Sequence, residues 1–201
     1  MLYSSYAILW EVFFMSQTTR TKSIVITAFF TAIVFLGIQS FRIPMPAAVG
    51  TPFLHFGHIF VMLAILCLGP KRSTVAGTLG LIIFDVLNGY IQAIPNVFVS
   101  TIIKCLLVGF LFEAMKKRTD GTLKSEYKYA ILCAGIYGIS NIILDFLWST
   151  AELVILGSTL EAALTAEIAS IPATIINAVF TIIGVALLYI PVKSAYRRVV
   201  C

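Results

Sequence analysis

Residues Gly57–Tyr90 read GHIFVMLAILCLGPKRSTVAGTLGLIIFDVLNGY: two apolar runs, a Gly-Pro-Lys-Arg hinge between them, and an aspartate near the end of the second. Apolar runs of this kind predict membrane helices. A carboxylate inside such a helix costs a few kcal/mol or more, so Asp85 is expected to be paired, hydrated or used. The hinge decides how the two runs sit. A re-entrant hairpin would strand Lys71 and Arg72 at mid-membrane, whereas two full crossings deliver them to water. The second arrangement is expected, because desolvating charge outweighs the mismatch of short spans.

The rest of the 201-residue chain follows the same pattern. It is 60% hydrophobic and 11% charged, far from the balance of a soluble globular domain. Apolar segments recur along nearly the whole length, leaving no room for a separate soluble domain. The expected fold is an all-α membrane protein, a six-transmembrane-helix bundle. Its spans are read at about Ile24–Ser40, Phe53–Leu68, Val75–Leu87, Val97–Met115, Ala130–Leu156 and Ile168–Ile190. Pro70, Pro95, Pro172 and Pro191 are read as marking helix ends.

Charge placement gives the orientation. Twelve of the 14 Lys and Arg residues fall before the first span, in the Lys71-Arg72 hinge, between the fourth and fifth spans, or after the sixth. With six crossings these lie on one side, which the positive-inside rule makes the cytoplasm. Both termini are then cytoplasmic. The net charge of +5 thus reads as topology and calls for no nucleic-acid partner. Residues 1–22 are expected to form a cytoplasmic or interfacial segment, 23–192 the helical bundle and 193–201 a cytoplasmic tail. The opening MLYSSYAILWEVFF (Met1–Phe14) lacks the basic leader and cleavage site of a signal peptide, and Met15 reads as a natural alternative start.

Counting depth at about 1.5 Å per residue puts Asp85 near the outer end of the third span and Lys104 roughly 13 Å inward from the outer end of the fourth. Asn177 has similar depth in the sixth. Asn141, Asp145, Trp148 and Glu152 follow 4-3-4 spacing and share one face of the fifth. Polar groups at one depth on four spans converge if they face the bundle interior, giving an outward-opening pocket. Asparagine amides would read ring edges there, and Trp148 or Tyr90 would offer a stacking face. Asn88, Asn96 and His58 complete the candidate ligand set.

Each candidate also has a plainer reading. Lys104 paired with Asp85 or Asp145 would staple helices, membrane asparagines commonly bond helix to helix, and Trp148 suits an interfacial belt. Two carboxylates against one ammonium favour a neutral or cationic ligand. His55 and His58 have no third nearby ligand to complete a metal site and are read as polar lining or a loop anchor. The outer loop FRIPMPAAVGTPF (Phe41–Phe53) reads as a stiff lid, because Pro44, Pro46 and Pro52 restrict it. Cys67, Cys105 and Cys133 sit in apolar runs as small hydrophobes, and Cys201 belongs to no cysteine cluster. No phosphate-binding loop, His-Glu-x-x-His or Gly-x-Ser-x-Gly motif is present, so the chain is expected to be no enzyme, with no cofactor of its own.

Four stretches resemble a known family: Phe56-Gly57-His58-Ile59 running to Leu68-Gly69-Pro70-Lys71, Ala76-Gly77, Phe84-Asp85-Val86-Leu87-Asn88-Gly89-Tyr90, and Thr101-Ile102-Ile103-Lys104. The chain is similar to the S components, the substrate-binding membrane subunits of energy-coupling factor (ECF) vitamin importers. The resemblance is closest over Thr27–Met115. It departs at Gly57-His58, where many members have Gly-Asp, and at Ser73, where they have glycine. It implies a multi-pass subunit of the bacterial cytoplasmic membrane that binds a water-soluble vitamin from outside. Its implied partners are a transmembrane coupling subunit and two ABC ATPases that use ATP-Mg. Ala28 and Ala32, a small-residue pair on one face of the first helix, would pack on the coupling subunit. The Asp85–Tyr90 region is more similar to the subgroup serving pyridoxine-type or hydroxymethylpyrimidine ligands, with pantothenate and riboflavin as alternatives. Outside the family, the competing class is a small integral-membrane enzyme or structural subunit.

Overall fold

The computed structural model describes residues 2–45 and 53–200, with side chains from Arg20 onward. The tip of the proline-rich loop, with Pro46, Gly50 and Pro52, lies outside the described residues, as do Cys201 and the side chains of the Met1–Phe14 segment. The described residues form six α-helices: α1 Leu2–Gln39, α2 Gly57–Leu68, α3 Pro70–Asn88, α4 Ile94–Lys116, α5 Leu123–Ile155 and α6 Leu160–Val200. The stretches Arg20–Gln39 and Ile91–Lys116, together with α5 and α6, are long and apolar enough to cross a membrane. Short strands β1 (Arg42–Pro44) and β2 (Phe53–His55) pair antiparallel with Ile43 opposite Leu54, so the legs of the proline-rich loop form a ribbon.

The 12-residue helix α2 is the axis of the bundle. It packs against each of the other five helices, and Val61–Leu68 are all buried. A helix surrounded by protein needs no polar face, which is why this segment is apolar all round. Its partner helices are amphipathic in the inverted sense suited to lipid, with large apolar residues such as Phe29, Leu107, Ile143 and Leu187 turned outward.

Gly69 links α2 to α3 in a single residue. Its φ of 78° falls in the left-handed region open to glycine, and its N–H donates to Ile65 O. Pro70 then begins α3 at its first turn, where a missing N–H costs nothing. The third helix accordingly starts five residues before the expected Val75. Pro172 and Pro191 correct the sequence reading more strongly, since both lie inside α6 and neither ends it. Each removes one backbone hydrogen bond, a loss that membrane helices absorb through neighbouring groups.

At the end where α4 and α6 finish and α5 begins, Glu126 is fully buried. It accepts from Tyr189 Oη at 2.9 Å and from Arg197 at 2.8 Å, with Lys116 Nζ 3.7 Å away. Lys193, read as the start of a cytoplasmic tail, is also buried and donates to Leu66 O. In the connecting turn, Thr122 caps α5, and hydrogen bonds from Ser125 and Thr122 hold the Asp120 carboxyl down at about 2.

Candidate functional site

At the opposite end of the bundle, the six helices, strand β2 and the α3–α4 connection enclose an open cavity of about 440 Å³. Its position follows from the lengths of its walls. The short α2 starts at Gly57 beneath the ribbon, so the longer helices rise past it and leave space above its first turn.

The aromatic part of the lining comes from the ribbon and the α3–α4 connection. Gly89, at φ 79°, stops α3 in a left-handed cap and turns the chain so that Tyr90 stacks on Phe84, with ring centroids 5.8 Å apart. Phe53 from β2 meets both rings, at 5.9 Å from Phe84 and 6.0 Å from Tyr90. Phe53 and Tyr90 face the cavity, alongside Ile38, Leu81 and Val97.

The polar part comes mainly from α4 and α5. Asn96, Ser100 and Lys104 repeat at four-residue spacing and share one helix face. Lys104, only 3% exposed, donates to Asn141 Oδ1, and Asn141 Nδ2 donates to Asp145 Oδ2 at 2.7 Å. The asparagine amide thus stands between an ammonium and a carboxylate and satisfies both. Lys104 also lies 5.3 Å from the centroid of the Tyr137 ring, whose hydroxyl is 3.0 Å from His58 Nδ1. His55 Nδ1 accepts from the Gly57 N–H, anchoring the ribbon to the start of α2.

Asp85 is 6% exposed, and its Oδ2 has no hydrogen-bond partner. The plainer reading, a direct Lys104 pair with Asp85 or Asp145 that staples helices, is not what the site shows. Among the described residues, neither Asp85 nor Asp145 comes within ion-pair distance of Lys104, which is engaged by Asn141 instead.

Of the residues singled out in the sequence, His58, Asp85, Tyr90, Asn96, Lys104, Asn141 and Asp145 line this one cavity. Asn88, Trp148 and Asn177 do not. Asn88 is held at the bundle surface, donating to Gln39 and Phe84 O and accepting from Arg42. Asn177 lies behind the wall, where its amide donates to Phe53 O at 3.2 Å and ties the ribbon to α6. On α5 the lining continues from Asn141 and Asp145 to Ser149, a four-residue repeat that leaves half-buried Trp148 about 60° off its centre.

Glu167, Ser170 and Thr174 on α6, Ser100 and Thr101 on α4, and Gln92 also reach the cavity. Their signal in the sequence is a polar stripe at 3-4 spacing through an apolar helix. It is easily passed over, because serine and threonine hydroxyls in helices bond back to their own backbone, as Ser170 does to Ala166 O.

A family model described as the ECF-type riboflavin transporter, S component, matches residues 18–195 of this chain. The chain belongs to this family. Comparison with curated proteins and with solved structures gives no match. As an ECF S component the protein is a transmembrane transport subunit that binds substrate, and it is not an enzyme. Ala28 and Ala32 are exposed on an outward face of α1 with Val25, Phe29 and Leu36.

Proposed function

We propose that this S component crosses the membrane six times with both termini in the cytoplasm, binds riboflavin from outside in the cavity, and delivers it inward with a coupling subunit driven by two ATPases. The observation that carries the choice of ligand is the two-part cavity. One part is aromatic, built on Phe53 and Tyr90. The other is densely polar, from Asn96 through Ser100 and Lys104 to Asn141 and Asp145. That division suits a ligand with a flat heteroaromatic ring at one end and a chain of hydroxyls at the other. The volume of about 440 Å³ is ample for such a molecule, whereas a single pyridine or pyrimidine ring would leave much of it to water. The riboflavin transporters that give the family its name point the same way.

The topology rests on the charge distribution and on the single-residue turn at Gly69. Lys71 is exposed at that turn, and Arg72 donates to Ser23 at 2.9 Å on α1. Both cations therefore sit at the end of the bundle away from the cavity, together with the Lys116–Lys128 segment. The exposed Ala28/Ala32 face supplies a flat, close-approach surface for the coupling subunit.

The test is identification of the small molecule released from the purified protein, by mass spectrometry and visible absorption. Riboflavin is expected. Release of a pyridoxine-type or hydroxymethylpyrimidine compound would refute the flavin assignment while keeping the cavity as the vitamin site. Failure to retain or bind any vitamin would refute the site itself.

A further inference from the structure

The cavity is lined by one ammonium and three carboxylates, and the charges are not evenly matched. Lys104 and Asp145 offset one another through Asn141. Asp85 and Glu167 are left over. Asp85 is more than nine-tenths buried and presents an unpartnered carboxylate oxygen, while Glu167 forms no ion pair among the described residues. Glu167 lies within Coulombic reach of Asp145 and Glu152, so the α6 side of the cavity is acidic as well. Arg42, the nearest cation on the ribbon, is turned onto the Phe84 ring and Asn88 and is not part of the lining.

We propose that Asp85 and Glu167 act as specificity-determining residues that exclude phosphorylated forms of the vitamin, so that the cavity accepts the free alcohol and rejects its phosphate ester. This rests on the reading of the cavity as the vitamin site. A phosphate monoester brings about −1.5 to −2 charges near neutral pH. Placed in a site that already holds two unbalanced carboxylates, it meets repulsion, and the described lining has no free cation to offset it. An uncharged ligand adds no charge to the site. The Asp85 oxygen without a donor is closed off just behind the cavity lining, so its charge acts on the ligand through space and is not offset by a hydrogen bond of its own. The same two carboxylates therefore tolerate the dephosphorylated molecule and repel the phosphorylated one. Such an importer depends on a phosphatase-type reaction outside the cell wherever the available vitamin is esterified, and on a kinase-type reaction inside to trap it.

Titration calorimetry on the unliganded, detergent-solubilised protein tests this with two matched pairs: riboflavin and its 5′-phosphate, and pyridoxine and its 5′-phosphate. The alcohol of the bound pair is expected to bind at least about 100-fold more tightly than the ester, about tenfold from each carboxylate. Glu167→Gln and Asp85→Asn should each reduce that ratio by about tenfold. The ratio is the readout because a general packing defect lowers both affinities together. Equal affinity for alcohol and ester, tighter binding of the ester, or a ratio unchanged in both variants overturns the proposal. If the pyridoxine pair shows the discrimination and neither flavin binds, the flavin assignment falls and the charge rule stands. If none of the four binds, both fall.

Discussion

Replacing Lys104 with methionine is the sharpest probe of the cavity, because it removes the positive end of the Lys104–Asn141–Asp145 chain while filling nearly the same volume. Two hydrogen bonds and an amide separate the ammonium from the carboxylate by roughly 7 Å, taking ordinary bond lengths. At an effective dielectric constant of about 20, that separation gives an attraction of about 2 kcal/mol. The charge-assisted hydrogen bond from Lys104 to Asn141 adds about 1.5–3 kcal/mol. Lys104→Met is therefore expected to destabilise the unliganded protein by about 4 kcal/mol, as breaking a buried pair commonly does. Asp145→Asn loses mainly the charge attraction and should cost about 2 kcal/mol. The double variant loses that attraction only once, so it should be about 2 kcal/mol more stable than the sum of the singles predicts. Denaturant titration in detergent micelles, followed by tryptophan fluorescence, measures all three. A coupling below about 0.5 kcal/mol would mean the two sites are independent. Asn141 would then relay nothing between them, and Asp145 would join Asp85 and Glu167 as an unbalanced charge.

Other expectations follow from the packing. A methyl group on Gly80 would sit 2.8 Å from the Thr31 carbonyl oxygen of α1, so Gly80→Ala should lower stability by about 1–3 kcal/mol in thermal unfolding. The matched control Gly135→Ala meets nothing within 4 Å and should stabilise α5 by up to about 1 kcal/mol. Glu126→Ala strips Tyr189 and Arg197 of their shared acceptor. Because Arg197 is 35% exposed and can rehydrate, the loss should fall near the lower end of about 3–5 kcal/mol, and clearly above that of Tyr189→Phe. Tryptophan at both Ala28 and Ala32 should abolish uptake in cells that carry the coupling module while vitamin binding by the isolated subunit survives. Loss of binding would show that these positions pack within the subunit.

The fold was legible where hydrophobicity and charge spoke together. Gly69-Pro70-Lys71-Arg72 announced a turn between two apolar helices, and the structure makes that turn in one residue. The prolines of α6 misled because proline has two meanings. In water it ends a helix, but in a long membrane helix braced by neighbours its lost hydrogen bond is tolerated, as at Pro172 and Pro191. Lys193 misled for a related reason. A charged residue in a basic tail reads as cytoplasmic, and only the packing of α6 against α2 reveals that its partner, Leu66 O, comes from 127 residues away. Buried Glu126 carried no signal in the sequence at all.

The cavity was legible in its expensive residues and illegible in its cheap ones. Asp85, Lys104 and Asp145 cost too much in an apolar helix to face lipid, so a shared depth together with an inward face was enough to bring them together. Ser100, Ser170 and Thr174 cost little, since a helix satisfies their hydroxyls locally, and so they carried no alarm. Asn177 shows the limit of depth as a criterion, because depth fixes height along the bundle and leaves rotation about each helix axis undetermined. Trp148 shows the limit of spacing, since a face read from 4-3-4 spacing is wider than the strip that lines the cavity. Rotation is set by which faces of neighbouring helices pack together, as α5 does along α6, and no single helix's sequence holds that information. For the same reason the chemistry of the ligand is better read from what the cavity leaves unsatisfied, the free oxygen of Asp85 and the unbalanced Glu167, than from the number of polar residues its helices contain.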